Sequence, residues 1–219
     1  MRPRKTAVWD LPTRLFHWTL VVLIALSWWS AENEELDLHL WLGMGVLSLL
    51  IFRLLWGLFG SSTARFSSFV RGPRAIRNYL AGKWQGIGHN PLGALSVLAL
   101  LGFVAVEVGL GLFSGDEDGL MSGPLAQFIS LDLSEEITDL HEDFFNLLLV
   151  LIGIHVAAVI FYLVAKRKNL IGPMISGKAA LDPATEPMRP GKWWAALLCL
   201  IAAIAITRWI IAGAPPLGA

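Results

Sequence analysis

The sequence predicts an all-α membrane protein: a four-helix transmembrane bundle followed by a fifth, C-terminal transmembrane helix. Three observations predict it. The 219 residues are 55% hydrophobic and include ten tryptophans, with a mean hydropathy of +0.62, which is too apolar for a soluble domain. Five runs reach or approach the about 20 apolar residues that cross a bilayer. Charges of opposite sign occupy alternate connections between those runs. The formal net charge is zero, so the partner implied at this level is the lipid bilayer and not nucleic acid, which selects a surplus of Lys and Arg.

The five runs are Leu15–Ala31, Leu38–Phe59, Leu92–Phe113, Phe144–Ala165 and Trp194–Gly213. Within a bilayer every backbone polar group must be satisfied inside its own segment, so each is read as a helix. Trp18, Trp28, Trp29, Trp41, Trp56, Trp193 and Trp194 fall near run ends, as an interfacial aromatic belt would. No short apolar core with a small-residue cleavage site precedes the first run, which is therefore read as retained.

The N-terminal arm carries Arg2, Arg4, Lys5 and Arg14. The second connection carries Arg65, Arg71, Arg74, Arg77 and Lys83 without an acid, and the fourth carries Lys166, Arg167, Lys168, Lys178, Arg189 and Lys192. The first and third carry acids without a base, among them Glu32, Glu34, Glu35, Asp37, Asp116, Asp118, Asp132, Glu135, Glu136, Asp139, Glu142 and Asp143. By the positive-inside rule the N-terminus is cytoplasmic and the C-terminus periplasmic, in a bacterial inner membrane. Residues 1–168 are read as the four-helix core, 169–192 as a Pro- and Gly-bearing cytoplasmic linker, and 193–219 as the extra helix with a short tail. Cys199 is the only cysteine and lies in an apolar run, so no disulfide forms within the chain.

Placed on this topology, four histidines sort by depth. His141 and His155 are fourteen residues apart on the fourth run, roughly 21 Å along a helix axis and nearly four whole turns, so they share a face. His39 lies at the outer end of the second run and His17 at the inner end of the first. The pairs are His39 with His141 outside and His17 with His155 inside. A lone histidine near a helix end is ordinarily an interfacial polar residue, but ionisable groups inside a span are costly, and two depth-matched pairs point to a cofactor. Zinc would want three or four protein ligands, and no Cys, Asp or Glu of the inner half supplies them. Two trans imidazoles suit haem iron, whose equatorial ligands come from the porphyrin. No CxxCH motif occurs, so covalent attachment is not indicated. Gly43, Gly45, Gly102, Gly109, Gly111 and Gly153 are candidates for close approach of a macrocycle.

DLPTRLFHW, GHNPLG before the third run, the histidine opening the fourth and its mate fourteen residues on together resemble the bacterial cytochrome b561 family, which includes the b-type subunits of nickel–iron hydrogenases. The resemblance covers about residues 8–178. It implies a four-helix core binding two b haems, with His17, His39, His141 and His155 matching the axial ligands. The fifth helix and its linker fall outside the compact core of the smallest members.

Three further charged groups lie in the spans. Arg53 shares the helix face of His39 but lies roughly 21 Å deeper; it is a cofactor-binding candidate through a bidentate contact to a haem propionate, the alternative being snorkelling to the headgroups. Glu107 is either a proton carrier for a quinone or a hydrogen-bonded interfacial acid. Arg208 reads as a snorkelling residue. His89, in GHNP, finds no partner at its depth and is assigned to a loop or quinone-edge role.

The function these features imply is a dihaem membrane cytochrome of a respiratory electron-transport chain, linking the quinone pool to a periplasmic redox partner such as a c-type cytochrome. Two alternatives belong to other classes. One is a superoxide:quinone oxidoreductase, which expects a positive outer funnel where this chain has acids. The other is the membrane anchor of a hydrogenase or other periplasmic dehydrogenase.

Overall fold

The computed structural model describes residues 4–84, 86–117 and 122–215. Arg2 and Asp118 of the charge pattern, and the last four residues of the tail, lie outside them. The elements in order are β1 (Arg4–Ala7), α1 (Leu11–Glu32), α2 (Leu36–Phe59), α3 (Phe66–Phe69), α4 (Pro73–Leu80), α5 (Pro91–Phe113), α6 (Leu131–Val164), α7 (Ile171–Ser176), β2 (Lys178–Leu181) and α8 (Trp193–Ile211), with one 3₁₀ turn at Ala126–Phe128. Helices α1, α2, α5, α6 and α8 are long and apolar enough to cross a membrane.

Helix α6 is longer than its apolar run, beginning at Leu131 and not at Phe144. His141 therefore does not open the helix; it sits ten residues in. The acidic opening turns stay helical because they are two-faced. Leu133, Ile137, Leu140 and Phe144 recur at helical spacing, while Ser134, Thr138 and His141 share another face. That face meets the end of α5: Ser134 Oγ donates to the Phe113 carbonyl at 2.7 Å, and the Gly115 N–H donates to Thr138 Oγ1 at 3.0 Å.

The chain divides into two compact units. The first gathers residues 1–17, 53–99 and 152–199. Its N-terminal strand β1 pairs antiparallel with β2, Arg4 opposite Leu181 and Ala7 opposite Lys178. The N–H groups of Val8 and Trp9 both donate to the Gly177 carbonyl, at 2.8 and 3.1 Å. Gly177 has φ of 77°, and a Cβ there would lie 2.8 Å from the Trp9 carbonyl oxygen, so both backbone conformation and space require glycine. Ser62 and Arg189 exchange hydrogen bonds, and the Met188 N–H donates to Ala7 O. The stretch read as a linker is thus tied to the N-terminal strand by backbone hydrogen bonds.

Asp10 anchors this unit. Its Oδ1 accepts the Thr13 N–H at 2.7 Å, capping α1, and its Oδ2 accepts the Trp56 indole N–H at 3.0 Å. Trp56 is 1% exposed, so it belongs to the interior and not to an aromatic belt, unlike surface-lying Trp41 at 61%.

The second unit comprises residues 18–52, 100–151 and 200–219. Its core is Met44, Leu47 and Leu112, with Ile51, Val108, Ile210 and Ile211 packed on it. The last two residues belong to α8, and Ser48 and Thr207 hydrogen-bond at 2.9 Å, so the fifth helix is built into the packing of this unit. Phe103 stacks on Phe144 at 4.8 Å. Among the described residues, fifteen of the sixteen bases fall in the first unit and thirteen of the sixteen acids in the second.

Candidate functional site

The second unit contains a cavity of about 580 Å³ lined by residues of α1, α2, α5 and α6, including His39, Gly43, Glu107, Gly111 and His141. That volume is within the range of small-molecule and cofactor sites. His39 and His141 face each other with ring centroids 6.1 Å apart and planes at 82°. A single ion with metal–nitrogen bonds of about 2 Å fits between two imidazoles so separated.

Each ring is fixed by its Nδ1. His39 Nδ1 lies 2.9 Å from the Ser27 carbonyl oxygen and 3.2 Å from Ser27 Oγ. His141 Nδ1 lies 3.0 Å from the Glu107 carbonyl oxygen and 3.3 Å from Glu107 Oε1. A carbonyl oxygen only accepts, so each Nδ1 carries the proton and each Nε2 lone pair is left for a metal. This is the tautomer a ligating histidine requires.

Two glycines shape the space. Gly111 lies one turn beyond Glu107, and a Cβ on it would sit 3.1 Å from His141 Cε1; the bare backbone lets the imidazole lie against α5. Gly43 lies one turn beyond His39 on the cavity wall, and a Cβ there meets nothing within 4 Å. Gly102, Gly109 and Gly153 are likewise open, whereas Gly45 admits Leu23 of α1. Two neighbouring imidazoles with Nδ1 committed, a cavity of cofactor size and an unfilled glycine flank fit a b haem.

The first unit holds the other histidines. His17 follows the Asp10 cap by two turns of α1 and lies within electrostatic range of His155 on α6. Arg53 is 2% exposed, with its guanidinium 4.8 Å from the Phe66 ring centroid. Its Nη1 is enclosed and has no hydrogen-bond partner among the described residues. Asp10 is near enough to act on its charge, but both Asp10 oxygens already accept other hydrogen bonds. A buried guanidinium with an idle N–H is able to donate to an anionic oxygen.

His89 lies in the loop before α5, as its sequence position implies, but it is not isolated there. It lies within electrostatic range of Arg53, His155 and His17, so it does have partners at its level. Its ring is held between Trp9 and Phe69, with centroids at 4.6 and 4.7 Å. Burial, followed by the neighbouring positive charge of Arg53, pushes its imidazole down to about 3. The signal was in GHNPLG itself: Asn90 caps α5, its Oδ1 accepting the Gly93 N–H at 2.8 Å, with Pro91 first in the helix. That cap places the preceding histidine in the interior.

Five apolar spans and facing imidazoles tethered through Nδ1 define the class, a helical membrane cytochrome. The family model for prokaryotic cytochrome b561 matches residues 8–177, and the chain belongs to that family. It is accordingly a multi-pass membrane protein that binds b haem and transfers electrons. Comparison with curated proteins and with solved structures gives no match.

Proposed function

We propose that the chain holds two b haems, one between His39 and His141 and one between His17 and His155, and carries electrons across the bacterial inner membrane between the quinone pool and a periplasmic partner. The observation that carries this is the pair of facing imidazoles in the second unit, each with Nδ1 committed to a backbone carbonyl and Nε2 left for iron. Haem supplies reversible one-electron chemistry when bound. The protein supplies the ligands, the glycine-lined space and, through Arg53, a donor for a propionate in the first unit.

The segregated charges support a cytoplasmic N-terminus. On that topology the acid-rich second unit faces the periplasm and suits a cationic partner such as a c-type cytochrome. The first unit, with its enclosed Arg53 Nη1 and His89 Nδ1, is the side proposed to meet quinone. Superoxide oxidation would be served by a positive outer field, and the sole basic residue of the second unit is Arg208. A role as anchor to a periplasmic dehydrogenase uses the same haem pairs and differs only in the protein that docks.

The test is the haem-to-protein ratio of purified protein by pyridine haemochrome, with all haem extractable into acid acetone. Two haems per chain are expected, falling to one in His141→Ala. A ratio of one in the parent protein, or two in that variant, rules the assignment out.

A further inference from the structure

The two histidines of the second unit are tethered alike through the backbone and unlike through side chains. The additional neighbour of His39 Nδ1 is a hydroxyl, Ser27 Oγ at 3.2 Å. The additional neighbour of His141 Nδ1 is a carboxyl oxygen, Glu107 Oε1 at 3.3 Å. Glu107 is 9% exposed and lines the same cavity. Its other oxygen, Oε2, is enclosed and has no hydrogen-bond partner among the described residues. Arg208, the only basic residue of the unit, forms no ion pair with it among the described residues. A carboxyl buried in a membrane span needs a polar counterpart, and the imidazole it faces is one.

Geometry fixes the contact from both sides. Gly111, one turn along α5 from Glu107, admits the His141 ring where a Cβ would sit 3.1 Å from it. On α6, Ser134 and Thr138 share the face of His141 and bind the end of α5. The imidazole therefore lies against the backbone of α5 with the Glu107 carboxyl beside its Nδ1.

We propose that Glu107 is a positioning residue for His141 and that its carboxyl holds the haem of the second unit at a lower reduction potential than backbone tethering alone would give. A carboxyl oxygen 3.3 Å from an Nδ1 whose N–H is already bonded to a backbone carbonyl adds negative potential beside the ring, which then donates more electron density through Nε2. That favours ferric over ferrous iron, because the oxidised form carries the extra positive charge. The inference rests on the bis-histidine assignment for His39 and His141.

The experiment is a potentiometric titration of the haem-loaded protein followed by visible absorbance. The wave lost in His141→Ala identifies the haem concerned. In Glu107→Gln, which keeps size and an acceptor oxygen but removes the carboxyl, that wave should rise. At fixed potential its reduced-to-oxidised ratio should increase about tenfold, 59 mV for a one-electron couple. The other wave should stay in place, and both haems should remain low-spin. An unmoved wave, or equal movement of both, overturns the proposal. If Glu107→Gln loses this haem, Glu107→Asp decides: retention at the parent potential supports the proposal, and loss in both variants reduces Glu107 to a packing role and overturns it. Loss of one haem in His141→Ala with no shift in Glu107→Gln defeats this inference alone. Two haems persisting in His141→Ala defeat the assignment beneath it.

Discussion

A histidine that ligates a metal almost always has its other ring nitrogen held by a hydrogen bond, and at the residue scale this is what distinguishes His39 and His141. The Ser27 and Glu107 carbonyls do this for His39 and His141. His155→Ala should accordingly remove one haem and leave the spectrum of the second-unit haem intact; equal loss of both would tie the two sites together in folding. Gly111→Val should displace His141, since even a Cβ comes within 3.1 Å of its ring. We expect loss of one haem and a destabilisation of about 1–3 kcal/mol, read by haem ratio and chemical denaturation. A variant with two haems and parental stability would show that α5 can move aside. His89 sets a pH dependence. Its folded-state value is depressed to about 3 against about 6.5 in an unfolded chain. The unfolded state therefore takes up a proton first, and the contribution to stability is full above about 6.5 and lost as pH falls towards 3. The melting temperature should be flat from pH 8 to 7 and decline from 6.5 to 4, with the decline shallower in His89→Gln. Parallel curves for the two proteins would assign the acid sensitivity to other groups.

At the scale of elements, caps do more than end helices: they set where the site residues stand. Asp10 fixes the start of α1 and ties it to Trp56 of α2, and His17 comes two turns later. Asp10→Ala should cost about 2 kcal/mol, about 1 from the cap and about 1 from the indole hydrogen bond. Asp10→Asn, whose single amide oxygen replaces only one of the two acceptors, should recover about half of it. Denaturation midpoints of the three haem-loaded proteins measure this, and an alanine variant as stable as the parent would show that Asp10 anchors nothing. Asn90 does the same for α5 and, through it, for His89. Helix α6 shows the converse, an apolar run that understates its element. Hydropathy marks only the part from Phe144, yet the helix begins at Leu131 because its polar face has a carbonyl and an amide of the α5 end to bind.

For the whole molecule the governing fact is the division of charge. The first unit is rich in bases and the second in acids, so a cationic redox partner is drawn to one of them and not to the other. Its reaction with the reduced protein should quicken as salt is lowered, because the Debye length grows from about 8 Å at physiological ionic strength to about 30 Å at 0.01 M. Replacing Glu135, Glu136 and Asp139 with their amides should flatten that dependence in stopped-flow measurements. Rates indifferent to salt in the parent protein would place docking on an apolar surface instead.

By itself the sequence determined the features that depend on one-dimensional quantities. Hydropathy over about 20 residues marks the five spans, the sign of each connection divides the connections into two alternating sets, and helical spacing puts His141 and His155 on one face. The four histidines and Arg53 stand out as candidates for that reason: a polar residue in an apolar run is conspicuous without any knowledge of its neighbours. Only the tertiary structure decided what each of them touches. Glu107 and His141 are 34 residues apart and Asp10 and Trp56 are 46 apart, and no local pattern records such pairs. Glu107 could be seen as a carboxyl in a span, but not as the neighbour of a histidine. His89 looked solitary because it lies in a loop and its charged neighbours come from three separate helices. The linker looked loose because the partner of β2 is at the opposite end of the chain. Composition and period locate residues along a helix, whereas the direction of a hydrogen bond depends on which helices pack side by side.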